Sequence, residues 1–181
     1  MIIMNMKLES WNEEKLAKCI GRTNIYALQL KTGAYVPVHK NMGKEVLSKH
    51  LNGEHTIGSY VISEDGTSTY GVIDIDGDKN DLEPLKRLGE TIYSLFPDFS
   101  RVLEFSGRRG YHVWIFFKNP ENPKFIKELL KTRLKTLSLR NIEIFPKQDS
   151  LEGKKLGNLI KLPCGLHKKG TWSTILKEEW K

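Results

Sequence analysis

Apolar and polar positions alternate along this chain in two rhythms, one suited to helices and one to strands. Trp11, Leu16 and Ile20, set among Glu and Lys, predict a short amphipathic helix over 11–20, and Ile25–Leu30 reads as a strand closed by a turn at Lys31–Gly33. Val46–Leu51 predicts a helix. Thr56–Ile62 predicts a strand ending in Ser63-Glu64-Asp65-Gly66, a hairpin-type turn that leads into a strand over Thr67–Ile75. Apolar residues at 82, 85, 88, 92, 95 and 96 predict a helix over Leu82–Phe96, with Asp81 as its N-cap and Pro97 beyond its end. Strands follow at Arg101–Phe105 and Tyr111–Phe117, then a helix with a Lys/Arg face at Phe125–Leu137, then short strands at Asn141–Phe145 and Asn158–Leu162. No internal repeat or linker interrupts the series, so the pattern predicts a single α+β (α/β mixed) domain of about seven strands.

Charge changes this picture more than composition does. Residues 1–90 hold 11 Lys+Arg against 13 Asp+Glu, while residues 91–181 hold 18 against 9, so the overall +7 belongs to the C-terminal half. A basic half suits a polyanion partner, and equally a solvated lysine-rich surface. Cys19 and Cys164, the only cysteines, are too few for a disulfide framework, a zinc ribbon or an iron–sulfur set, so a metal would need oxygen ligands or histidine. The longest apolar stretches, such as Val113–Phe117, fall far below the roughly 18 residues that cross a bilayer, and the first residues lack a signal-peptide pattern. The expectation is a cytoplasmic protein with no membrane partner.

Four segments can carry chemistry. Asp74-Ile75-Asp76 closes an apolar strand, and the period of two sets both carboxylates on one face with Ile73 and Ile75 on the other. Paired carboxylates repel and call for a cation, and hard oxygen ligands suit Mg²⁺ or Mn²⁺; alone, the pair also describes a solvated strand end. Ser106-Gly107-Arg108-Arg109-Gly110 joins two strands through a doubly basic turn that can offer backbone N–H groups and guanidinium forks to phosphates, with His112 just beyond it. Glu143, between Ile142 and Ile144, is a third acid able to complete a metal triad, or an edge-strand Glu in water. Lys161 and His167 lie in a basic segment, Gly157–Lys169, suited to a nucleoside triphosphate or to the surface.

Taken in order, these segments resemble the motifs of the archaeo-eukaryotic primase superfamily. Asp74 and Asp76 look like its acid-x-acid motif, Ser106 to His112 its Ser-x-His-like motif, and Ile142-Glu143 its hydrophobic-acid motif. Gly21 to Ala27, Gly33 to Pro37, Gly53 to Tyr60, Phe145-Pro146-Lys147-Gln148 and Gly157 to Pro163 are similar to the branch found in TOTE conflict operons and beside CRISPR adaptation proteins. The resemblance implies a two-lobed fold, an N-terminal module over 1–66 and an RRM-like catalytic module over 67–181, with the active site in the cleft between. It implies template-directed nucleotidyl transfer on single-stranded DNA or a primer-template, with NTPs or dNTPs, by priming or extension. Asp74, Asp76 and Glu143 would hold two divalent ions, with Asp149 as the alternative third acid. His112 would bind the incoming nucleotide, assisted by Ser106, Arg108, Arg109 and Lys161, and then by Lys147, Gln148 and His167. Arg22 is a weaker candidate for template or nucleotide. CRISPR adaptation, helicase or nuclease components are the protein partners implied, within a longer protein or an operon system.

Two other function classes fit parts of the pattern. A two-metal nuclease shares the acids and the basic half without needing a triphosphate cradle. A non-catalytic single-strand binder would stack bases on Trp114, Tyr111 or Phe145, although each of these sits inside an apolar strand.

Overall fold

The computed structural model describes residues 11–137, 139, 142–152 and 156–181. In chain order its elements are α1 (Glu13–Ala17), β1 (Tyr26–Gln29), β2 (Tyr35–Val38), α2 (Lys44–Leu51), β3 (Ile57–Tyr60), β4 (Ser68–Asp76), α3 (Glu83–Ser94), β5 (Ser100–Phe105), β6 (Gly110–Glu121), α4 (Pro123–Leu134), β7 (Ile142–Phe145), β8 (Leu159–Lys161) and β9 (Thr174–Glu179). The strands form two antiparallel sheets, ordered β2-β1-β3-β8 and β7-β4-β6-β5-β9. The mixed α+β class is therefore as expected. Among the described residues no helix is long and apolar enough to cross a membrane.

The five-stranded sheet is covered on both faces, which explains why β4 and β6 are almost continuously apolar. Ile73, Ile75, Leu103, Val113 and Ile115 face Ile92 of α3 and Ile126, Leu130 and Leu134 of α4. The intervening positions, Tyr70, Val72, Val102, Trp114, Phe116 and Phe145, point the other way and share one core with Tyr26, Ile57 and Ile160 of the first sheet and with Leu16 and Leu47. Trp114 is fully buried and Tyr111 and Phe145 nearly so, which leaves none of the three as a stacking platform for bases.

Three expectations are corrected. The 63–67 turn forms, with the Ser63 amide donating to the Thr67 carbonyl at 2.9 Å, but it is not a hairpin turn. It passes the chain from β3 in one sheet to β4 in the other. Asp81 does not cap α3: its amide closes a turn onto Asp78 at 3.1 Å, and the helix starts two residues later, with Pro84 in a first turn that needs no amide donor. There are nine described strands rather than about seven, since β2 and β9 had no prediction. β2 contains Pro37, which an edge strand tolerates because one side of its ladder needs no donor. β9 is rich in charge, yet Glu178 accepts from Trp11 Nε1 and Lys15 Nζ at 2.9 Å each, and Glu179 from Arg101 at 2.6 Å, all far away in the chain. Asn141, predicted to open β7, lies outside the described residues.

The turn at residue 66 separates β1–β3 from β4–β7 and β9, but not from β8. Although it belongs to the second half of the chain, β8 pairs with β3 through Gly58–Lys161, Ser59–Ile160 and Tyr60–Leu159 and so carries Lys161 into the first sheet.

Candidate active site

Strand register builds the site. Asp74 on β4 stands directly opposite His112 on β6 and Glu143 on β7, and His112 stands opposite Glu104 on β5. Directly opposed residues share a face with Cβ atoms about 5 Å apart, so Glu143, Asp74, His112 and Glu104 form one polar row across four strands. Asp76, two residues further along the same face, is opposite Gly110. A Cβ at Gly110 would lie 2.1 Å from the Ile75 carbonyl oxygen and 2.8 Å from Asp76 Oδ1, so only glycine lets β6 pass this close to the Asp76 carboxylate.

The row is electrostatically uneven. The Asp74 side chain is only 17% exposed, and its Oδ1 makes no hydrogen bond, although His112 Nε2 lies 3.5 Å away. Burial, and then the charges of Asp76, Glu143 and Glu104, raise the Asp74 pKa, while His112 works against them. Asp76 Oδ2 accepts from Arg109 Nη2 at 2.6 Å and Nε at 3.1 Å, and Glu143 pairs with Lys147 at 2.7 Å. Among the described residues no group of three His, Cys, Asp or Glu side chains is drawn up around one point. The donors nonetheless fit a hard divalent cation, because an unpartnered buried carboxylate oxygen stands beside like charges whose repulsion a cation would relieve. Asp149 is placed differently, as an exposed carboxylate in an ion pair with Lys127.

Between the two sheets this row opens into a cavity of about 260 Å³. From the five-stranded sheet and its turn come Asp74, Asp76, Ser106, Arg108, Arg109 and His112. Lys161 enters from β8, His167 from the segment after it, and Tyr35 and Gln29 from the opposite wall. An adjoining space of about 580 Å³ shares Asp76 and Arg109 and is lined by Glu143. Thus nine of the candidate catalytic and nucleotide-binding residues border these two adjoining spaces. Lys147 lines neither space, but it pairs with Glu143 and lies over the Phe145 ring, 4.9 Å from its centroid, and both of those residues border the spaces. Gln148 instead accepts from the Asn158 amide at 3.1 Å. Arg22 bonds Asn24 at 3.0 Å and does not line either space.

Residues 9–180 match the family described as the archaeo-eukaryotic primase domain of TOTE conflict systems. The chain belongs to that family. No curated protein matches it. Membership suggests a primase-like nucleotidyltransferase and fits the order in which acids, basic turn and histidine occur.

This primase-family domain also holds a residue that the sequence did not mark. Glu104 is wholly buried, and its Oε2 accepts from His112 Nδ1 at 3.1 Å and Trp114 Nε1 at 2.8 Å while its Oε1 accepts from Lys161 Nζ at 3.3 Å. Burial pushes its pKa up, but Lys161 and His112 outweigh burial and hold it at about 2. His112 is the mirror case: burial disfavours its charge, and Glu104 and Asp74 raise its pKa on balance. Burial, with Lys161 and Arg108 nearby, lowers His167 to about 4, and its Nδ1 accepts from the Lys169 amide at 3.0 Å. Alternation along β5 sets Glu104 on the Val102 face, but only the pairing of β5 with β6 reveals that this face is the polar row.

The 106–110 turn is pinned to the loop bearing His167. The Gly107 carbonyl accepts from the Thr171 amide at 2.7 Å, and Gly107 has φ +91° with a notional Cβ 2.6 Å from the Thr171 carbonyl oxygen. Gly107→Ala is expected to cost about 1–3 kcal/mol in thermal or urea unfolding. A loss under about 0.5 kcal/mol, the range of ordinary surface substitutions, would show that the turn relaxes without strain.

Proposed function

We propose that this domain is a template-directed nucleotidyltransferase, a primase-polymerase that adds NTPs or dNTPs on single-stranded DNA. The observation that supports the reading is the Glu143–Asp74–His112 row, which strand register sets side by side on the face that opens toward Arg108, Arg109 and Lys161. Asp74, Asp76 and Glu143 would hold two Mg²⁺ or Mn²⁺ ions, which supply an activated 3′-hydroxyl and neutralise triphosphate charge. His112, anchored through Nδ1, has Nε2 to offer a phosphate oxygen. Arg109 uses two of its five N–H donors on Asp76 and keeps the rest for phosphate, with Arg108 beside it. Lys161 commits two of three N–H donors, to Glu104 and to the Leu162 carbonyl at 2.9 Å, and has one left for the nucleotide. His112 and Lys161 are held by Glu104 before substrate arrives, which lowers the reorganisation cost of meeting charge on the transferring group.

The test is a labelled-product assay on single-stranded DNA with Mn²⁺ or Mg²⁺, with and without primer, and with NTPs and dNTPs in separate reactions. Template-dependent products that vanish in an Asp74→Ala/Asp76→Ala variant are expected. DNA cleavage without nucleotide would make the protein a two-metal nuclease, and binding without synthesis a single-strand-binding module.

A further inference from the structure

The cavity draws its cationic donors from both sheets, and Glu104 is where the two meet. His112 comes from β6 and Lys161 from β8, yet both bond the same carboxylate, one through each oxygen. Glu104 is absent from the cavity wall while both of its partners line it. A buried ion pair is costly, and an apolar trio would hold two sheets together as well or better, so stability alone gives little reason for the charge. Geometry gives one. With Nδ1 held from behind, the imidazole presents Nε2 forward, and an ammonium held from behind keeps its long side chain from sampling other rotamers.

We infer that Glu104 is a positioning residue for the nucleotide's phosphates, aiming His112 and Lys161 at the triphosphate without touching it. The inference rests on the nucleotidyl-transfer reading. It makes triphosphate affinity depend on an interaction behind the binding surface, as second-layer partners of ligand histidines do at other sites, where their loss costs roughly 10- to 100-fold.

Binding of dATP, of inorganic tripolyphosphate and of a single-stranded oligonucleotide would be titrated against wild type and Glu104→Gln. Glu104→Gln is expected to weaken dATP and tripolyphosphate by roughly 10-fold or more and to leave the oligonucleotide unchanged. In a His112→Ala/Lys161→Ala background the same substitution should have no further effect on tripolyphosphate. Unchanged tripolyphosphate affinity in Glu104→Gln, or equal loss for all three probes, would overturn the inference, the latter by showing a purely structural role. Should Glu104→Gln not fold, ¹⁵N spectra of the wild-type imidazole decide. Tripolyphosphate should then shift His112 Nε2 and leave Nδ1 in place, and movement of Nδ1 overturns the inference. Wild type that binds neither dATP nor tripolyphosphate would instead sink the nucleotidyl-transfer reading, and the inference with it.

Discussion

Asp74→Asn is expected to melt at a higher temperature than wild type while losing at least about a thousandfold in nucleotide transfer. The two effects share one cause. Asp74 is buried beside three other carboxylates with an unpartnered oxygen, so its pKa lies above the ordinary value, first through burial and then through Asp76, Glu143 and Glu104. A raised folded pKa means that the charge is tolerated less in the fold than in the unfolded chain, so its penalty appears as pH rises through that pKa and is absent in acid. The gain from Asn should therefore be present at neutral pH and shrink toward zero in acid, where Asp74 is protonated. On the proposed function, activity should fall because an amide is a poor ligand for a hard cation, and a metal contributes several kcal/mol to the transition state at about 1.4 kcal/mol per tenfold. Melting curves over pH 3–8 beside a primer-extension assay check both halves. A variant less stable than wild type at neutral pH would mean that the repulsion is already relieved within the protein.

Lys161→Met should produce the largest loss of stability. It leaves Glu104 wholly buried with His112 as its one basic partner, and removing one member of a buried ion pair costs about 3–5 kcal/mol. For a chain of this size that corresponds to a melting point lower by roughly 10 °C. The acid limb carries a second signature. Glu104 is depressed from 4.5 to about 2, so its contribution is complete above pH 4.5 and drains away as pH falls toward 2. Wild type should lose about 3 kcal/mol across that window from this group alone, and Lys161→Met much less, because its Glu104 is no longer depressed so far. Replacing Glu104 by Leu together with Lys161→Met should recover much of the loss, since a well-packed apolar pair needs no desolvation. Urea unfolding from pH 2 to 7 measures all three. Parallel wild-type and Lys161→Met curves would rule out Lys161 as the cause of the Glu104 shift.

Which of these features could be read along the chain depends on the range of the interaction behind them. Local alternation was enough to place Asp74 and Asp76 on one face of β4 and Ile73 and Ile75 on the other, because strand geometry alone dictates it. The apolar core, with Trp114 and Phe145 inside it, followed from the same rhythm. Pairing was not accessible in this way. Nothing near Glu143 says that it stands beside Asp74, and nothing near Glu104 distinguishes a solvent-facing acid from one that binds partners on β6 and β8. β9 stayed hidden because its Glu178 and Glu179 find their cations at Lys15 and Arg101, at distances in sequence that no window spans. Asp81 misled for a more local reason, since it closes the turn from Asp78 and the helix begins beyond it at Glu83, with Leu82 in the N-cap position.

The return of β8 to the first sheet also orders events during synthesis. A ribosome releases β1, β2 and β3 early, but Tyr60 finds its partner only when Leu159 has emerged, and until then the outer edge of β3 is an open template for other strands. Glu104, too, must wait for Lys161 before its burial is compensated. The cavity is thus among the last parts of the molecule to exist, and a chain halted before Leu159 carries Asp74, Asp76 and Glu143 with no completed space in which to use them.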